Sequence, residues 1–296
     1  MATVRLVNTP WLAIDGGPAV PLRTLQVPGY RIDPVSAPAS GGSLIRAGQA
    51  VTLTEMAADV LPNSAGPLLA WAERFAAGDL AAVAGTAWLV DANFSARRSL
   101  DFDGAELTQL RLPTLSAADA RGPVQLGLSW RMRALIDRPG DGRKITASGG
   151  RPKAMLSSNF RVTGLPFDGA QVSAVALPLL RRADTVGIAP WRPELRASPL
   201  HIGPLQLTLA GRSAEAGRAW VQKLVSDGRV DEAEGFDFGV DLLDAALKTV
   251  LARIDLAGCC LLASDEPPID TASDTPPTLA LRLSVRQVKL DFKRKT

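Results

Sequence analysis

Few residues in this chain have the types and spacing that chemistry needs. There is one histidine, His201, in a segment without periodicity ahead of an alternating run. Without a second histidine or a nearby nucleophile it makes neither a triad nor a zinc site in the usual way. Asp101 and Asp103 are two apart, so on a strand they share a face, and a retaining glycosidase needs a close carboxylate pair. A similar stretch further on keeps Asp255 but has Ala257 in place of the second aspartate, and one strand does not make a cleft. Cys259 and Cys260 are adjacent, which on a strand points them to opposite faces, one buried and one not. A vicinal disulfide would be strained; two reduced thiols in a cytoplasmic product is the plainer expectation. No metal ligands surround them. Gly41-Gly42 does not lie between a strand and a helix at phosphate-loop spacing. The expectation is no catalytic residue, no cofactor site and no metal site, hence no enzyme.

Composition narrows the class. A chain of 296 residues buries one large core or two ordinary ones. Hydrophobic residues at 46% and charged residues at 21% exclude wholesale disorder. With 22 prolines and 26 glycines the chain must turn often, which favours short strands over long helices. Aromatics at 5% are too sparse for a base-stacking surface. The net charge of +3 is spread along the chain, apart from the basic tail Lys289–Lys295, so nothing outlines a nucleic-acid groove. Such a tail is a solvated terminus in the plain reading, and a contact to phosphate or an acidic protein face in the other. Met1 to Trp11 lacks an apolar h-region, and no run approaches the length of a membrane span.

The elements come in two similar sets. Ala70-Trp71-Ala72-Glu73-Arg74-Phe75-Ala76-Ala77-Gly78 is answered by Ala219-Trp220-Val221-Gln222-Lys223-Leu224-Val225-Ser226-Asp227-Gly228. Arg98 to Gly104 is answered by Arg253 to Gly258, and Leu128-Ser129-Trp130-Arg131 by Leu283-Ser284-Val285-Arg286. Trp71 to Gly104 is 33 residues and Trp220 to Gly258 is 38; Gly104 to Ser129 is 25 and Gly258 to Ser284 is 26. Three matches in one order at near-equal spacing imply one module used twice. The expected division is a domain over 1–137, a Gly/Pro-rich polar linker over 138–152, and a second domain over 153–296.

Within each module the pattern is strand, turn, strand, long segment, strand, helix, strands. Trp11–Ile14 leads into the turn Asp15-Gly16-Gly17-Pro18 and on to Val20–Val27; Asn159–Thr163, Phe167-Asp168-Gly169 and Val172–Leu180 repeat it. Pro28–Gly48 and Arg181–Pro204 show no periodicity and are expected as irregular surface loops. Val51–Thr54 and Leu205–Leu209 alternate as half-buried strands. Ser64 and Ser213 could cap the two helices, and Gly78 and Gly228 stop them. Leu68, Trp71, Ala72 and Phe75 form one buried stripe; Ala216, Trp220, Val221, Leu224 and Val225 form the other. Each Trp is expected as a core anchor. Gly104 falls inside a strand, where glycine marks a bulge or close approach. Val124, Leu126, Leu128, Trp130 and Met132 share a face. Leu279, Leu281, Leu283 and Val285 do likewise, and Val288, Leu290 and Phe292 continue on the opposite parity, predicting a bulge near Arg286-Gln287.

This order resembles the tail-tube proteins of contractile phages and the related ring proteins of type VI secretion and extracellular contractile injection systems. Leu100-Asp101-Phe102-Asp103-Gly104-Ala105-Glu106-Leu107 is similar to the family strand around its F-x-G/N-A step. Leu112-Pro113-Thr114-Leu115-Ser116-Ala117-Ala118-Asp119-Ala120 is similar to its P-x-L-(D/S)-A loop, and Asn159-Phe160-Arg161-Val162 resembles the opening strand. The resemblance implies a mainly β fold, a small β-barrel or sandwich with one helix per domain, here in tandem. It implies a structural ring or tube component (tube, initiator or baseplate-proximal ring) assembled in the cytoplasm into a virion tail or injection particle. The implied partners are further copies of the chain, as a trimer of pseudo-sixfold symmetry or a hexamer, and other tube, sheath, baseplate or spike proteins. No membrane is implied, and DNA at most in transit through the lumen. Two features depart from the family: the tandem arrangement, and the arginines Arg131, Arg133, Arg282 and Arg286 where a lumen tends to be acidic. A basic lumen would grip DNA, or these arginines lie in interfaces with acidic neighbours. A cytoplasmic binding or adaptor module on the same fold is the alternative.

Overall fold

The structure is a computed structural model and describes residues 9–39, 42–62, 65–146, 155–182, 199–228, 235–267 and 278–293. It is mostly β, as the alternation and turn density predict, with two helices. The first half runs β1 (Thr9–Ile14), β2 (Val20–Pro21), β3 (Thr24–Gln26), β4 (Tyr30–Ala39), β5 (Gly42–Leu53) and β6 (Met56–Val60) into α1 (Gly66–Ala76). It continues with β7 (Val83–Val90), β8 (Ala96–Arg111), β9 (Thr114–Ser116), β10 (Leu126–Arg131) and β11 (Ala134–Pro139). The second half runs β12 (Phe160–Thr163), β13 (Val172–Ala176), β14 (Leu179–Arg182), β15 (Leu200–Ile202) and β16 (Leu205–Ala210) into α2 (Gly211–Ser226). It closes with β17 (Phe236–Leu243), β18 (Val250–Asp265), β19 (Thr278–Ser284) and β20 (Gln287–Phe292).

Strand order reads β1-β7-β8-β10-β6-β3 in one half and β12-β17-β18-β19-β16-β13 in the other, with β11 on β8 as β20 is on β18. The long strands β8 and β18 make the barrel-like curvature. Each bends at a left-handed glycine, Gly104 at φ 61° and Gly258 at φ 62°. A side chain there would be strained, and its Cβ would meet Arg133 at 2.9 Å or Arg286 at 2.8 Å. Before Gly104, β8 pairs with β7 and β11; beyond it the partner on one edge becomes β10. The parity slip near Arg286-Gln287 is therefore a corner between β19 and β20, opposite the bend at Gly258, where a bulge was expected. This register also places Arg133, two residues beyond Arg131, at the position of Arg286.

The alternating faces pack as their sequence requires. Leu126, Leu128 and Trp130 are each at most 1% exposed, and Leu281, Leu283 and Val288 behave alike. A buried residue of this size contributes about 1.5–3 kcal/mol. On α1, Leu68, Trp71, Ala72 and Phe75 are buried; the N-cap position is Ala65, and Ser64 lies outside the described residues. On α2 the buried residues are Ser213, Ala214 and Gly217, and Trp220 is half-buried. The absent Cβ of Gly217 admits Leu209 and Leu279, so the helix sits low on its sheet at its N-terminal end. Two expectations are corrected there. Ser213 is not the cap (that position is Ala210) but accepts a hydrogen bond from the Gln171 N–H at 2.8 Å, and Val225 is 63% exposed.

Pro28–Gly48 is likewise not irregular where it is described: Tyr30–Ala39 and Gly42–Gly48 belong to the hairpin β4–β5, with Val51–Leu53 as its returning end, so the counterpart of the core strand β16 is β6. The hairpin gives no periodic signal because, among its described side chains, apolar Tyr30, Ile32 and Val51 are exposed on one face and Arg31 and Thr52 are exposed on the other. In the second segment, β14 and β15 pair, and residues 183–198 lie outside the described residues. Arg138 and Pro139 close β11, and Ile145 packs with Trp11 and Trp88.

Turns are held by aspartates. Asp91 Oδ1 accepts from the N–H groups of Ser95 and Asn93, both at 2.9 Å; Asp119 accepts from the Ser157 hydroxyl and the Gly122 N–H, and Asp244 from the Lys248 and Thr249 N–H groups. These bonds favour the carboxylate and hold all three below the ordinary 3.8. A lowered folded value means that the unfolded chain binds more protons, so this stabilisation is present above 3.8 and lost as pH falls through the folded values. Thermal melts should accordingly show a midpoint that drops steeply below about pH 4. A melting temperature unchanged between pH 5 and pH 3 would contradict it.

Candidate functional site

The two halves join through backbone, with apolar and polar side chains packed along the joint. Beyond Gly104 the free edge of β8 is taken by β14, pairing Arg111 with Leu179, Leu110 with Leu180 and Gln109 with Arg181. The motif loop Leu112–Ala120 contains β9, which pairs with β13 through Thr114, Leu115 and Ser116. Each half thus supplies strands to the other's sheet, and the apolar core runs on without a break from Leu12 to Phe292. Leu110, Leu115 and Leu180 at the seam are fully buried.

Polar groups lock the seam. The Arg182 guanidinium donates to the Gly78 carbonyl at the end of α1 at 2.6 Å and lies over the Phe75 ring at 5.4 Å. A cation suits both the negative end of a helix and a ring face. Glu106 lies close enough to attract it: burial raises the Glu106 carboxyl above its usual range, against the pull of Arg182 and Arg133. Burial lowers Arg182, against the pull of Glu106 and Asp79. Phe292 of β20 donates its N–H to Glu73 Oε1 on α1 at 3.0 Å. Ser157 donates to Asp119 Oδ2 at 2.9 Å. The first half uses β8, β9 and α1; the second uses β13, β14 and β20. No element meets its own counterpart, so the joint is head-to-tail.

The residues with chemical potential lie elsewhere and apart. His201 is in β15 rather than a loop, exposed, and opposite Arg181. Asp101 accepts from the Thr86 hydroxyl at 2.8 Å and faces Arg138 at 3.4 Å, at the side of an open depression of about 240 Å³; Asp103 is exposed. Asp255 accepts from Arg253 at 2.6 Å beside Ala257. Among the described residues no three His, Cys, Asp or Glu could hold a metal ion, and no helix is long and apolar enough to cross a membrane. Of the four arginines, Arg131 pairs with Glu55 at 3.2 Å, Arg133 and Arg286 lie over the bend glycines, and Arg282 is exposed.

Neither cysteine is in a disulfide; Cys259 is buried and Cys260 half-buried, on opposite faces of β18. Burial pushes Cys259 up to about 12, so it holds its proton at any ordinary pH. Native, unassembled protein at pH 8 should therefore be alkylated at one thiol per chain, Cys260, and at both only after denaturation. Mass spectrometry of the labelled peptide checks this, and rapid modification of Cys259 in the native state would refute it.

No known family model and no curated protein matches the sequence. Among solved structures, the chain is similar to a chain of the anti-feeding prophage baseplate at 12% identity and TM-score 0.38, over 47% of this chain and 98% of that one. It is also similar to Hcp1 from Flavobacterium johnsoniae, at 15% identity and TM-score 0.32 over 45% and 95% of the two chains. A third is a chain of the sheath–tube complex of PVC, an extracellular contractile injection system, at 14% identity and TM-score 0.30 over 45% and 80%.

Proposed function

We propose that this chain is a structural ring component of a contractile phage tail or tail-like injection machine, acting by assembly and not by catalysis. The observation that carries the reading is the head-to-tail joint between halves of identical strand order. A heterologous joint leaves the complementary surfaces free at the two ends of the chain, and repetition closes a ring if the rotation permits. Closure also removes sheet edges that otherwise invite uncontrolled pairing. The two halves act as two modules, 1–137 and 153–296, with 138–152 between them. Three chains then give six modules, a ring of threefold symmetry that looks sixfold and suits a level where a sixfold tube meets a threefold part. The resemblance in the strand around Gly104 and in the Leu112–Ala120 loop gives the parent machine.

Native mass spectrometry with negative-stain class averages tests this. Three chains with six similar lobes, stacking at high concentration, are expected. A monomer under all assembly conditions, or six chains in a twelve-lobed ring, would overturn it.

A further inference from the structure

Among the described residues, the elements of the joint inside the chain have counterparts that do not meet each other. The halves correspond residue by residue through Gly104 and Gly258: the register breaks at Ser129/Trp130 and Leu261/Ala263 fall at matching places, as do those at Val83/Gly85 and Phe236/Phe238. Gly203 N–H donates to the Leu179 carbonyl and Thr54 N–H to the Gly29 carbonyl, both at 2.8 Å. Leu180 opposes Ile202 as Tyr30 opposes Leu53. The start of β4 is thus the counterpart of β14, and the end of β18 the counterpart of the end of β8.

Their burial differs sharply. Leu180 is 0% exposed, whereas its counterpart Tyr30 is 72% exposed. Thr108 is 5% exposed, whereas its counterpart Leu262 is 56% exposed. Among the described residues, β18 from Ala263 to Asp265 has β19 on one edge and no strand on the other. Large apolar side chains at an open strand edge are what a monomer avoids.

We propose that a second copy of this chain fills that edge. The start of β4 in one copy pairs with the end of β18 in the next, setting Gly29, Tyr30 and Arg31 opposite Asp265, Ser264 and Ala263. Paired substitutions fit the occupant. Where Leu180 meets Leu110 inside the chain, Tyr30 would meet Ser264, a larger residue against a smaller one. Counted back from the helix C-termini, where the Gly78 N–H meets the Phe75 carbonyl as the Gly228 N–H meets that of Val225, Phe75 corresponds to Val225 and Glu73 to Lys223; so where Arg182 lies over Phe75 and near Glu106, Ile32 would meet Val225 and Cys260. Cation, ring and carboxylate have all been exchanged for uncharged side chains, so neither side buries an unpaired charge. Ile32 and Val225 are 48% and 63% exposed in the single chain. Likewise the Phe292 N–H that meets Glu73 is replaced by Pro139, which has no N–H, with Lys223 replacing the carboxylate. Because the surroundings of Arg182 in the internal joint are charged and those of Ile32 in the external one apolar, each surface rejects the other's partner, which fixes the alternation of halves.

This inference is the joint of the ring proposed above, and it is tested separately from ring size. Chains carrying only Tyr30→Cys are mixed with chains carrying only Ser264→Cys, both in a Cys260→Ser background, and oxidised. Directly opposed strand residues lie about 4.5–5.5 Å apart at Cα, within disulfide reach. A crosslinked pair of chains is expected from the mixture and not from either variant alone. Tyr30→Glu and Val225→Glu, both at exposed positions, should melt like the parent yet run as monomers. Cys260 of the parent should lose its reactivity on assembly. A crosslink without a three-chain particle would leave the joint standing and remove the ring reading. Absence of the crosslink, or unchanged association of both glutamate variants, would overturn the joint.

Discussion

Trp71→Ala is expected to lower stability by about 3–5 kcal/mol, a large fraction of the total for a protein of this size. Trp71 is 3% exposed, and its ring meets Trp130 edge-on at 5.8 Å, with Phe102 packed on the far side of Trp130 at 6.0 Å. Alanine would leave a cavity in the centre of the first core, walled by residues that strands on two sides hold in place. Edge-to-face contacts add about 0.5–1.5 kcal/mol to the area term. The counterpart is not equivalent. Trp220 is half-buried between Phe167 and Phe236, at 5.4 and 5.5 Å, so Trp220→Ala should cost about 1–2 kcal/mol, as for partial burial. Urea titration of both variants checks the ordering through the shift in midpoint at constant slope. Equal losses, or a Trp71→Ala protein of normal stability that fails only to associate, would contradict the core role.

The second large effect concerns Asp241. Its carboxylate is 2% exposed and held by Arg161 at 2.8 Å and Arg253 at 3.1 Å, one from each neighbouring strand. Removing both arginines strands a buried charge, and about 3–5 kcal/mol is the expected loss for Arg161→Met with Arg253→Met. Asp241→Asn should cost less, about 1–3 kcal/mol, because the arginines are half-exposed and regain water. The matching site in the first half is apolar, Trp11 facing Trp88, so burial at this position does not require charge. Asp241→Leu in the double-methionine background should then recover most of the loss. Failure to recover would mean that the arginines act on something other than Asp241.

The same contrast explains how much was legible in the sequence. The cores of β10 and β19 are read directly, since Leu, Leu, Trp and Leu, Leu, Leu at every second position bury one face wherever they sit. The stripe on α1 is equally plain. On α2, Val225 has the right type and spacing but is 63% exposed, which no pattern in the helix reveals. The hairpin of β4 and β5 hides for the reverse reason: Tyr30, Ile32, Ile45 and Val51, its large apolar side chains among the described ones, are exposed. The seam was missed because its partners are far apart: nothing near Leu110 indicates that Leu180 will cover it. The signal was present in the pair Val27-Pro28 and Leu177-Pro178, which mark the same point in each half ahead of one exposed and one buried strand.

The shared sheet has a consequence for synthesis of the chain. The edge of β8 at Gln109–Arg111 is complete only when Leu179–Arg181 has been made. That is about 70 residues later, a delay of several seconds at about 5–20 residues per second. During that interval the nascent first half offers an uncovered β-edge beside Leu110 and Leu115. A holdase should bind nascent chains truncated between residues 120 and 170 and release them once β14 has emerged, so at this edge it is the ribosome-bound intermediates that carry the risk of aggregation.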